Sequence, residues 1–238
     1  MHINAAISPL NSSQKPFPLW LRIGFWICTT IAVAVVIRRL FALAAPPRSS
    51  AAPQLAALDH FFASHAALTL AHIIPALAFV LVAPFVVFRR QSVWAERLIF
   101  PLGAVVGITA YAISSHAIGG WIERSAVLFF NGLFLFALLR AFFCRRRKEP
   151  QRTRIWLLRA IAILLGIATT RPVMGVFFAT SPLTHLTPRQ FFGVAFWIGF
   201  SINTLVFELW LRSRSRHQQT MPLQPVDDDL RAQLRRIS

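Results

Sequence analysis

The chain has 238 residues, of which 56% are hydrophobic and 14% charged, with a mean hydropathy of +0.58. A water-soluble domain averages about 45–50% apolar and about 25% charged residues, so this composition excludes a soluble globular domain, a secreted disulfide scaffold, a collagen and a disordered tail protein. The 25 Lys+Arg against 8 Asp+Glu leave a net charge of +17, and charges so few and so one-sided belong in the loops of a polytopic membrane protein.

A helix needs about 20 apolar residues to cross about 30 Å of hydrocarbon. Six stretches qualify in chain order: 19–43, 65–88, 98–117, 121–143, 155–178 and 191–211. Their apolarity is continuous rather than alternating, which selects helices over a barrel. The expected fold is an all-α six-helix transmembrane bundle. Residues 1–18 form a cytoplasmic N-terminal segment, 19–211 the membrane domain and 212–238 a basic cytoplasmic tail. The first stretch ends on Ala42-Leu43-Ala44, which imitates a signal-peptide cleavage site. Arg38 and Arg39 interrupt the approach to that site and the leading segment is long, so a retained helix is the expected reading.

The basic residues sort by side. Lys15, Arg22, Arg89, Arg90, Arg97, Arg140, the run Arg145 to Lys148, Arg152, Arg154, Arg159 and the tail arginines make 19 of the 25 on one face. By the positive-inside rule both termini are cytoplasmic. Trp20, Trp94, Trp121, Trp156 and Trp210 fall at predicted helix ends, where aromatic belts sit. Cys28 and Cys144 have no metal-site or disulfide spacing. In the tail, Asp227 to Asp229 precede a basic stretch. A short helix on anionic lipid and a solvated tail both stay open there. The bilayer is the expected partner and nucleic acid is not, because the charge is a topology signal.

Ionisable residues at membrane depth are costly and mark function. His72 lies 16 residues from Phe88, His116 lies 18 from Leu98, and Arg171 lies 16 from Ile155. All three therefore stand roughly 24–27 Å above the cytoplasmic boundary. His60, His65 and His185 fall near this layer, as do Asp59 and Glu123. His72 and His116 are candidate axial ligands of a b-type haem, with Arg171 compensating a propionate. His60, His65 and His185 are candidate ligands for a metal ion such as Zn or Cu. Proton relay or anion recognition at an outward cavity, and plain interfacial hydrogen bonding, stay open beside these. Deeper, Asn131 and Asn203 carry amides at matching depth on the fourth and sixth helices, where they are expected to fix packing. Glu208 is expected to pair with Arg159 or Arg212.

Gly103-x-x-x-Gly107 and Ala195-x-x-x-Gly199 offer close-packing faces, and a homo-oligomer stays open. Pro75, Pro84, Pro101 and Pro172 are placed to kink or begin helices, with Pro172 marking the best candidate for a polar cavity beside Arg171. No enzyme motif is present: there is no His-Glu-x-x-His, Gly-x-Ser-x-Gly, phosphate loop or dinucleotide fingerprint.

Trp156-Leu-Leu-Arg159, Thr169-Thr-Arg171, Trp197-Ile-Gly-Phe-Ser-Ile-Asn203 and Glu208-Leu-Trp210 resemble a family of predicted bacterial membrane proteins, domain of unknown function 2306. His72, Ala76-Leu77-Ala78, Pro84 and Arg89 or Arg90 are similar to that family's opening helix. The resemblance spans roughly 65–212. It implies a bacterial inner-membrane protein in which His72, Arg171, Asn203 and Glu208 matter, without implying a reaction. Where the family has His-Arg pairs, this chain reads Glu96-Arg97 and Thr153-Arg154.

Overall fold

The computed structural model describes residues 17–44, 62–89 and 92–219, and among these the chain forms six long helices and no strand. They are α1 (Leu19–Ala44), α2 (Ala66–Phe88), α3 (Val93–Ser114), α4 (Gly120–Arg146), α5 (Pro150–Thr184) and α6 (Pro188–Gln219). Each contains a window long and apolar enough to cross a bilayer. The fold is an all-α, multi-pass transmembrane bundle.

Helix bounds depart from the hydropathic stretches for local reasons. α3 begins at Val93 rather than 98, because a helix runs on through the polar Glu96 and Arg97 at the interface, where Glu96 meets Arg145 at 3.9 Å. It ends at Ser114 rather than 117. His116 thus lies in the turn that leads to α4, not on a helix, and its N–H donates to the Ile113 carbonyl. α4 runs to Arg146, α5 covers 150–184 instead of 155–178, and α6 covers 188–219 instead of 191–211. Their ends carry charged residues that hydropathy alone rejects. Pro75, Pro84, Pro101 and Pro172 lie inside helices and begin none. The helix-starting prolines are Pro150 and Pro188, where the missing N–H has no intrahelical partner to lose.

The helices alternate in direction. At the terminal face, where α1 starts and α6 finishes, Phe17 stacks on Trp210 at 5.0 Å and Trp26 on Phe88 at 5.8 Å. At the opposite, distal face, Arg39 at the end of α1 lies 3.9 Å over the Phe62 ring that leads into α2. Neighbour contacts close a ring: α1 on α2, α2 on α3, α3 on α4, α4 on α5, and α5 back on α1. α6 packs outside this ring against α5 and α4. α2 and α5 also touch across it. They are tied at the terminal face, where Arg154 Nη2 donates to the Val87 carbonyl at 3.0 Å. A cation there meets the carbonyl end of α2, the favourable end of its dipole.

Small residues bring the helix axes together. A Cβ added at Gly199 would stand 2.6 Å from the Thr170 backbone N, and one at Gly103 2.8 Å from a Leu138 methyl. The buried side of the bundle is filled by Phe79, Phe130, Phe134, Ile99 and Leu157. Much of the outward apolar surface, Trp20, Trp94, Trp121 and Phe136 among it, is exposed. That is the inverse of a soluble protein and the ordinary state of a lipid-facing one.

Candidate functional site

A cavity of about 250 Å³ lies inside the ring toward the distal face, lined by residues from all six helices. Its floor is apolar, with Ala32, Val80, Phe134 and Leu164. The cavity's charged, imidazole and amide groups are Arg39, His72, His116, Glu123, Asn131 and Arg171, and the Thr69 and Ser114 hydroxyls line it too. His72, His116 and Arg171, which depth counting puts in one layer, therefore line one space. Arg39 and Glu123 join them.

Each polar group is engaged differently. His72 Nδ1 lies 2.9 Å from Thr109 Oγ1 on α3, and that hydroxyl donates to the Val105 carbonyl at 2.7 Å. With the hydroxyl proton on the backbone, Nδ1–H is the donor, so the neutral ring carries its proton on Nδ1. Glu123 Oε2 accepts the Gly119 N–H at 2.6 Å, closing the turn that begins α4. Asn131 Nδ2 donates to the Gly107 carbonyl at 2.9 Å, tying α4 to α3 where two small residues let them approach. Arg39 stacks on Phe62.

Arg171 differs from all of these. Its one hydrogen bond among the described residues is Nη1 to Met174 Sδ at 3.9 Å, a weak acceptor at long range. Glu123 and Arg39 act on it electrostatically, yet neither carboxylate oxygen forms an ion pair with it. A guanidinium has five N–H donors, and here they face a cavity rather than acceptors. Pro172, the next residue, cannot donate to the Ala168 carbonyl, and Ala168 also lines the cavity.

The histidines divide. His116 does not share a ring contact with His72. Its ring meets His65 instead, at 4.3 Å between centroids and a 48° tilt. Ser64 Oγ lies 3.0 Å from His65 Nδ1 and Ser115 Oγ 2.9 Å from His116 Nδ1. His185 sits exposed in a left-handed conformation at the end of α5, its N–H donating to Ser181. His60, Asp59 and the 220–238 stretch of the tail lie outside the described residues. Among the described residues no group of three or more His, Cys, Asp or Glu side chains is gathered as for a metal ion.

Away from the cavity, Arg159 and Glu208 form a bidentate ion pair between α5 and α6, with Nε to Oε2 at 3.0 Å and Nη2 to Oε1 at 3.1 Å. Arg212 adds a third contact at 3.6 Å. Asn203 accepts from Thr169 Oγ1 at 2.8 Å and reaches Cys28 Sγ at 3.9 Å, joining α6, α5 and α1. Thr109 is the partner that sequence reasoning did not name. It stands 16 residues past the start of α3, as His72 stands 16 before the end of α2. Depth matching of polar residues across adjacent helices is the signal that finds it.

No protein-family model, curated protein or solved structure matches this chain.

Proposed function

We propose that this chain is a bacterial inner-membrane protein that binds, and moves, a small solute through the distal cavity, with both termini in the cytoplasm and the cavity facing outward. The observation that carries this reading is the underpartnered guanidinium of Arg171 in a space lined by all six helices. A charge at membrane depth whose only acceptor among the described residues is a thioether is costly, and a ligand supplying stronger acceptors offsets that cost. The likeness of residues 65–212 to domain of unknown function 2306 belongs to the same proposal. The purified protein tests it. Small organic solutes should raise the melting temperature of wild type but not of Ala110→Phe, which fills the cavity. Equal responses in both would remove the cavity from the account. A reporter fused after Arg147 should be active only as a cytoplasmic fusion.

One observation favours a metal reading beside it. Two imidazoles bound side by side to one ion, with metal–nitrogen bonds of about 2.0–2.1 Å, hold their rings in near contact, as His65 and His116 do at 4.3 Å. Ser64 and Ser115 occupy both Nδ1 atoms, the outer-shell arrangement that metal-ligating histidines favour. Haem suits the site less well. An apolar cavity of about 150 Å³ takes a benzene, so about 250 Å³ is small for a tetrapyrrole. Metal analysis and a visible absorption spectrum of protein purified without a polyhistidine tag test both. Bound Zn or Cu lost in His65→Ala and His116→Ala would support the ion, and a Soret band would restore haem.

A further inference from the structure

The chemistry of the cavity also narrows what enters it. We infer that the ligand is a small amphipathic monoanion, a carboxylate on an aromatic or short aliphatic body, seated with its charge on Arg171 and its body on the apolar floor. This rests on the solute-binding reading above.

Three observations carry it. The first is charge. The groups facing the cavity are Arg39 from α1, His72 from α2, His116 from the α3–α4 turn, Glu123 from α4 and Arg171 from α5. Glu123 already accepts the Gly119 N–H. With Glu123 held by that turn and Arg39 seated on the Phe62 ring, the cavity charge whose donors meet no strong acceptor among the described residues is that of Arg171. The second is hydrogen bonding. Arg171 donates only to a thioether, and a planar guanidinium fork matches a carboxylate in the bidentate manner. The same helix shows that match met, where Arg159 grips Glu208 through two nitrogens. The third is the remainder of the wall. Beside the polar groups, which include the Thr69 and Ser114 hydroxyls, most of the wall is apolar, Phe130, Phe134, Phe200, Val80 and Leu164 among it, and it suits an apolar body better than the several polar groups of a phosphate, sulfate or sugar acid. Size closes the argument. A cavity of about 150 Å³ is enough for benzene, so about 250 Å³ accommodates a ring plus a carboxylate and little more.

Benzoate, benzamide and benzylamine test this, because they share one body and carry a negative, neutral and positive head. Binding to the full chain in nanodiscs is read by calorimetry and by melting temperature, with nitrate and hexanoate as further probes. Benzoate or hexanoate should bind at least tenfold more tightly than benzamide, benzylamine or nitrate. Arg171→Leu should lose that preference while remaining folded. Arg171→Lys should keep part of it, and Arg124→Gln, far out on the exposed side of α4, should bind as wild type. Benzamide or benzylamine binding as well as benzoate would overturn the anion but leave a solute cavity. Nitrate binding as well as benzoate would overturn the amphipathic body. If none of the five binds, or Arg171→Leu binds benzoate undiminished, the inference fails. Stabilisation of wild type but not Ala110→Phe by other solutes would then show that the cavity reading survives it.

Discussion

Arg159 and Arg171 stand on the same helix, twelve residues apart, and the bundle treats them in opposite ways. Toward the terminal face, Arg159 meets Glu208 through two nitrogens and lies 4.5 Å over the Trp156 ring. Toward the distal face, Arg171 has Met174 sulfur at 3.9 Å and a cavity. Both charges are costly at membrane depth. In the first the protein supplies the compensation, so the residue belongs to the architecture. In the second Glu123 acts only through space and no carboxylate among the described residues meets the guanidinium directly, which is what a binding residue looks like before its ligand arrives. Charge within a membrane is thus informative only together with its partners.

The terminal half is where substitutions should cost most. Gly199→Leu, which drives a side chain into the Thr170 backbone, should lose about 3 kcal/mol, at the upper end of overpacking costs. Denaturation in detergent measures it, and an unchanged midpoint would show that α5 and α6 are not held by that approach. Glu208→Leu leaves Arg159 without its carboxylate and should lose about 2 kcal/mol, below the full cost for a buried pair because both groups are partly exposed. Arg159→Leu combined with Glu208→Leu should recover about half of that loss, since an apolar pair replaces an ion pair well. Additive losses would mean the pair contributes nothing as a pair. Asn131→Leu should cost about 1 kcal/mol, as interhelical amide bonds do. That measurement separates a packing amide from one reserved for ligand.

The architecture was readable because bilayer thickness imposes a length on every apolar stretch, and all six helices answer to it. The ion pair was readable too, since Glu208 and Arg159 were the two opposite charges at comparable depth. Gly103 and Gly199 signalled close helix approach by spacing alone. Contacts in the distal half were less readable, because depth counting specifies height and not azimuth. It brought His72, His116 and Arg171 into one layer, yet gave no means of knowing that His116 had left the helix, that its ring would meet His65, or that Thr109 would hold His72. Those depend on which helix faces which. Glu123 was legible as a charge near the layer, and Arg39 only as a charge near the end of the first apolar stretch. Their place on the cavity wall comes from how α1 and α4 pack into the ring.

The comparison of the two arginines is tested most directly by replacing each with leucine and measuring the melting temperature of the ligand-free protein side by side. Arg159→Leu leaves Glu208 only the longer Arg212 contact at 3.6 Å and should melt several degrees lower than wild type. Arg171→Leu removes a charge that no carboxylate among the described residues pairs with directly and should melt at the wild-type temperature or above it. A loss of stability in Arg171→Leu as large as that in Arg159→Leu would mean that Arg171 is as fully engaged in the fold as its neighbour, and would contradict its assignment to a ligand.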